Sequence, residues 1–183
     1  MTRAASPRFT TIAARVPGRF YRRHRQRKAK ALARIKIVSG AQTGVDRAAL
    51  DAALELGMPC GGWCPKGRRA EDGRIPDRYP LQETTSWGYP ERTKRNVQDS
   101  DGTLILQAGP MIGGTALTEL TARVAGKTVM DCSPDDLAAV ERVRGWITVN
   151  GIEILNVAGP RESTEPIYQR AKRFMDMLLR GDP

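Results

Sequence analysis

The sequence predicts an α/β fold: one three-layer domain with a mainly parallel sheet covered by helices, preceded by a basic N-terminal arm. Short β-branched or apolar runs alternate about five times with stretches of helical periodicity, which is the signature of a helix-covered parallel sheet. The connections are mostly short and marked by glycine and proline. The chain has 183 residues, 40% apolar and 27% charged, which is enough for a single buried core without disulfide or metal staples.

Each element follows in chain order. Residues 35–38 (Ile-Lys-Ile-Val) form a short strand ending at Ser39-Gly40. Residues 45–56 place Val45, Ala48, Ala49, Ala52, Ala53 and Leu56 on one helical face, stopped by Gly57 and Pro59. A second strand over residues 60–63 leads into a long Pro-, Gly- and Arg-rich loop, 64–88. A helix over 90–97, a strand over 103–106, a loop over 109–114, a helix over 115–125 and a strand over 128–130 follow. Ser133-Pro134-Asp135-Asp136 reads as an N-cap with proline at the first helical position, opening a helix to about Val143. Residues 152–157 form another strand. A last helix from about Glu165 carries Ile167, Ala171, Phe174 and Leu178 on one face.

Charge divides the chain sharply. The net +10 and pI near 10.1 arise from residues 1–34, which hold 11 of the 30 Lys and Arg and no acid. Residues 35–183 hold the other 19 basic and all 20 acidic groups, a net of −1, so the domain itself has no nucleic-acid footprint. For the arm, three roles fit its composition: a nucleic-acid or membrane contact, a targeting segment, or a solvated disordered tail. The run over residues 22–28 contains no apolar residue, and the tail is the preferred reading.

Several chemistries are excluded early. His24 is the only histidine, which removes most Ser–His–Asp triads, Cys–His pairs and multi-histidine metal sites. Cys60, Cys64 and Cys132 form neither a disulfide framework nor a zinc site, and a reducing cytoplasm is expected. No apolar run approaches the ~20 residues of a membrane span.

Ligands of open α/β sheets bind where glycine-rich turns leave the strand ends. Three such turns exist here. The first, residues 39–47, offers Gly40 and Gly44 for close backbone approach to an anion, with Gln42, Thr43, Asp46 and Arg47 as polar groups. Thr43 and Asp46 also have the spacing of a capping box. The second, residues 109–115, places Gly113, Gly114 and Thr115 at a helix start as a phosphate cradle, although it is neither a P-loop nor a G-x-G-x-x-G fingerprint. The third, residues 158–163, brings Arg161 and Ser163 to the same edge. The long loop adds Lys66, Arg68 and Arg69, which could clamp a phosphate while Trp63 or Trp87 stacks on a ring. Arg92, Lys94 and Arg95 are further donors. No catalytic or metal-ligating set emerges.

At these residues the chain becomes recognisable. Residues 40–51 (Gly-Ala-Gln-Thr-Gly-Val-Asp-Arg-Ala-Ala-Leu-Asp), 61–73, 99–103, 113–118 and 155–163 together resemble the molybdenum cofactor carrier family, over about residues 35–180. The family it resembles belongs to a circularly permuted branch of the SLOG superfamily, Rossmann-like domains that bind nucleotides or related ligands. The resemblance implies a phosphate-bearing pterin cofactor whose molybdenum arrives already chelated by a dithiolene, so no protein-ligated metal is expected. Related phosphoribohydrolases carry a catalytic glutamate in a Pro-Gly-Gly-x-Gly-Thr-x-x-Glu pattern. Aligned on Thr115, this chain keeps Pro110 and Gly114 but has Met111 and Ile112 for the first two glycines. Thr118 takes the glutamate position, and Glu119 comes one step later on another helical face.

The expected function is therefore a cytoplasmic carrier that binds and protects the cofactor without turnover. A nucleotide-processing N-glycosidic hydrolase, using Glu119 or Asp46, and a nucleotide-sensing SLOG module are the alternatives. Expected partners are the small-molecule ligand, further copies of the chain in a homo-oligomer, and acceptor molybdoenzymes; no membrane is expected, and nucleic acid only through the arm.

Overall fold

The computed structural model describes residues 34–180, and the arm, apart from its last residue, lies outside them. In chain order the elements are β1 (Lys36–Val38), α1 (Val45–Glu55), β2 (Cys60–Cys64), β3 (Arg69–Ala70), β4 (Gly73–Arg74), β5 (Leu81–Glu83), α2 (Tyr89–Gln98), β6 (Gly102–Leu106), α3 (Gly113–Val124), β7 (Thr128–Cys132), α4 (Ala139–Val149), β8 (Ile154–Ala158) and α5 (Tyr168–Arg180). Six strands form one parallel sheet in the order β5-β2-β1-β8-β6-β7, while β3 and β4 make a separate hairpin. Helices α1, α4 and α5 pack together as one layer and α2 with α3 as another, giving the predicted three-layer α/β fold.

The layers follow from side-chain size. Ala48, Ala49, Ala52 and Ala53 are fully buried on α1, and their small volume lets α5 approach with Phe174, Met175 and Leu178. Strand β6 is buried along its whole length, as a central strand covered on both faces must be. Polar ties hold the middle of the sheet. The Ser39 hydroxyl donates to the Val157 carbonyl (2.7 Å), and Asn156 Nδ2 donates to Thr103 Oγ1 (3.2 Å).

Two stretches differ from expectation. Ser133 opens a turn rather than a helix: Asp136 N donates to the Ser133 carbonyl (3.1 Å), and Asp136 Oδ1 accepts from Ala139 N (3.2 Å), just where α4 begins. Asp135 is drawn instead to Arg170 on α5, and α4 runs to Val149 rather than Val143. The long loop is also ordered. It contains the β3–β4 hairpin and the edge strand β5, packed over a second small core of Ala41, Leu50, Cys64, Ala70, Ile75 and Tyr79. Buried Asp51 on α1 anchors it, accepting from Tyr79 Oη (2.9 Å), Arg78 (2.9 Å) and Tyr168 Oη (2.7 Å).

The tightest backbone approach lies at the end of β8. A Cβ on Gly159 would stand 2.3 Å from the Leu106 carbonyl and 2.5 Å from Val45 Cγ2. Gly159→Ala should therefore cost about 1–3 kcal/mol through overpacking, read as a lower denaturation midpoint with unchanged m-value.

Candidate functional site

Strands β1 and β6 feed their helices to opposite layers, and β8 runs between them, so the sheet has its topological switch there. The carboxyl ends of these three strands carry the three glycine turns. Between them lies a cleft of about 830 Å³. The first turn lines it with Gln42 and Asp46, and α2 with Tyr89, Pro90, Arg92 and Thr93. The second turn and α3 contribute Gly109 to Gly114 (all but Met111), Thr115, Leu117 and Thr118. Ala158 to Arg161, Thr164 and Glu165 complete the wall.

The first two turns are built differently. Gly40 lies beneath the Arg92 guanidinium, and a Cβ there would stand 1.7 Å from one of its nitrogens. Gly44 has φ +75°, and a Cβ on it would meet the Pro160 carbonyl at 2.5 Å, so its glycine lets the first and third turns touch. Asp46, 4% exposed, closes the start of α1: its Oδ2 accepts from Gln42 N (3.2 Å) and from Arg92 (3.0 Å). Burial raises the Asp46 carboxyl above its ordinary range, and the Arg92 charge opposes this. The start of α1 is thus closed by the chain itself: Val45 N donates to the Pro160 carbonyl (3.3 Å) and Arg47 N to the Gln42 carbonyl (3.2 Å).

The second turn is open. Nothing lies within 4 Å of where a Cβ would stand on Gly109, Gly113 or Gly114, and α3 begins with no side-chain cap. Its first-turn residues line the cleft, so their N–H groups and the positive end of the helix dipole are available to an anion there. Beside it, Gln42 is 3% exposed and holds its side-chain carbonyl against Thr43 N and Glu71 N. That leaves the buried Gln42 Nε2 without a partner; Arg92 Nε and Gln107 Oε1 are likewise unpartnered. Buried polar atoms left unmatched at one sheet edge carry a cost that a bound polar ligand removes.

Of the residues expected from sequence, Gln42, Asp46, Gly113, Gly114, Thr115 and Arg161 line the cleft. Gly40, Thr43, Gly44, Arg47 and Ser163 instead hold the turns to one another. The tip of the β3–β4 hairpin does this through two acids. Glu71 accepts from the hydroxyls of Thr43 and Ser163, and Asp72 pairs with Arg47. Lys66 rests over the Trp87 ring at 5.8 Å, and Arg68 is buried, donating to the carbonyls of Ile75, Pro76 and Tyr79. Arg69 stands by Tyr89, at the cleft's edge. Tyr89, Thr118 and Glu165 were not legible as lining residues. Arg92 was visible as a donor, but its ion pair with Asp46 spans 46 positions and has no local signal. Thr118 faces the cleft, donating to the Gly114 carbonyl (2.8 Å), whereas Glu119 is no part of its wall and pairs with Arg123 at 2.7 Å.

The model of the circularly permutated YpsA SLOG family matches residues 37–179. The chain belongs to that family. A SLOG domain thus accounts for the whole sheet and all three turns. A solved structure from Syntrophus aciditrophicus SB, named "Putative molybdenum carrier protein", is 45% identical. It matches with a TM-score of 0.78 over 80% of this chain and 96% of the other. No curated protein matches the chain. Among the described residues, no helix of this SLOG domain is long and apolar enough to cross a membrane.

The hairpin clasp is pH-sensitive. Burial pushes the Glu71 carboxyl up, but the Ser163 and Thr43 hydroxyls, the Ser163 N–H and the Arg161 charge outweigh it and hold it below its usual range. The Arg47 hydrogen bond lowers Asp72 similarly. A lowered folded value means stabilisation that is fully present above the unfolded value of about 4.3 and lost as pH falls through the folded one. The stability difference between wild type and Glu71→Gln should therefore be open at neutral pH and close in acid. A difference independent of pH contradicts the ionised clasp.

Proposed function

We propose that the cleft carries the molybdenum cofactor, a phosphate-bearing pterin, and holds it without chemical conversion. The observation that carries this assignment is the open start of α3 beside the unpartnered amide nitrogen of Gln42. The backbone of Gly113, Gly114 and Thr115 would take the phosphate, Gln42 the polar edge of the pterin, and Arg161 its remaining negative charge. The name of the Syntrophus structure supports molybdenum as the metal concerned. The molybdenum comes already chelated by the cofactor's dithiolene, so this chain's contribution is binding, orientation and shielding from water and oxidant.

Retention without turnover is supported by the carboxylates. Glycosidic hydrolysis needs a carboxylate free to act on the sugar or leaving base. Glu119 is turned to Arg123, Asp46 is held by Arg92 and Gln42 N, and Glu165 is paired with Arg170 at 2.8 Å. In this role residues 35–183 are the ligand-binding unit and the arm is no part of it. The protein works in the cytoplasm as a homo-oligomer and passes its cargo to molybdoenzymes.

Gly114→Asp tests the phosphate site. The position has open space and an ordinary φ, and an acid in the first turn suits the helix dipole, so folding should be kept to within about 0.5 kcal/mol. Its carboxylate would occupy the anion locus, and cofactor affinity measured by equilibrium dialysis should fall at least about a hundredfold, near 2.7 kcal/mol. Equal affinity in a folded variant contradicts the assignment. Wild type incubated with nucleoside monophosphates should release no free base; release that disappears in Glu119→Gln would make the protein a hydrolase.

A further inference from the structure

The start of α2, beside the start of α3 on the cleft wall, has its own electrostatic design. Tyr89, the first residue of α2, is approached by guanidinium groups from three different elements. The Arg161 guanidinium carbon lies 4.8 Å from the ring centroid, that of Arg92 5.8 Å and that of Arg69 5.9 Å. Arg92 is spent on Asp46, at 3.0 Å. Arg69 and Arg161 form no ion pair among the described residues, although Glu71 lies near enough to Arg161 to feel its charge. Like charges gathered around one ring repel, and the ring faces only partly offset this. A guanidinium held flat on a tyrosine keeps its N–H edge free for an oxyanion, and the positive end of α2 adds to the same field. Helices α2 and α3 pack side by side, and both line the cleft with their first turns. The cleft therefore meets positive charge from two sources, the helix start of α3 and the guanidinium cluster at Tyr89.

Resting on the cofactor assignment above, we infer that the ligand carries two anionic groups, a phosphoryl at the start of α3 and a second anion at Arg161 and Arg69, with Tyr89 as their platform. The second anion has two chemical sources. One is a pyrophosphate link extending the pterin to a nucleotide. The other is the negatively charged oxo-molybdenum head of the unextended cofactor. Both are oxyanions and ask the same of the site.

The test is equilibrium dialysis of the full-length protein against three probes: the metal-free pterin monophosphate, its molybdenum-bearing form, and the metal-free dinucleotide form. At least one doubly anionic probe should bind about tenfold tighter than the metal-free monophosphate, the size of one charge-assisted hydrogen bond. Which one does so identifies the source. Arg161→Gln and Tyr89→Leu should abolish that preference, and Tyr89→Phe, which keeps the ring, should retain it. Three probes of equal affinity, or an equal loss on all three in Arg161→Gln, overturns the second anion site while leaving the cofactor assignment standing. If no pterin binds, the cofactor assignment fails, and inorganic pyrophosphate against phosphate decides the second anion site. An Arg161-dependent preference for pyrophosphate upholds it, and equal or absent binding of the two overturns it.

Discussion

The contact between the first and third glycine turns is the constraint on which the site depends. Strand β8 lies between β1 and β6, and its chain must leave over the start of α1. It does so with the Pro160 carbonyl accepting from Val45 N (3.3 Å), which is possible only because Gly44 has no side chain in the way. With those turns locked, the mouth of the cleft is fixed on one side, and of the two glycine-rich helix starts only that of α3 remains uncovered. Two further devices reinforce the lock: the Glu71–Asp72 clasp from outside and the Asp46–Arg92 pair from within.

This arrangement separates two uses of similar residues. Glycines and an acid at the start of α1 are consumed in packing three turns together, so this helix offers no vacancy. At the start of α3, by contrast, a Cβ on Gly113 or Gly114 would meet nothing within 4 Å. The same division holds for the arginines. Arg68 and Arg47 are spent on the chain's own carbonyls and Asp72, while Arg161 and Arg69 gather at Tyr89. A site is marked here less by which residues are present than by which are left unmatched.

Periodicity in the sequence was enough to place four of the five helices and the strands of the sheet's interior, because their burial is imposed by alternation and spacing. It failed where structure comes from distant partners. Strand β5 has three residues, only one of them even half-buried, and exists because β2 offers it an edge. The expected helix at Ser133 yields to Asp135 pairing across to Arg170, 35 positions away. In the site, the glycine turns were legible as turns, but not which one is open. That distinction depends on Arg92 and Pro160 covering Gly40 and Gly44, contacts between elements that local spacing does not encode. The displacement of Glu119 by one position was legible, and its consequence, the pairing with Arg123 away from the cleft, follows from helical geometry.

The central claim is that the cleft holds a molybdenum-bearing pterin and returns it unchanged. The most direct measurement loads the purified protein with the cofactor under air, releases the ligand by denaturation, and determines its mass and its molybdenum content. The account predicts recovery of the intact, unoxidised cofactor in proportion to occupied protein, while cofactor left free in the same solution is oxidised. Recovery of a cleaved or otherwise altered product, or oxidation as fast as in free solution, would contradict it.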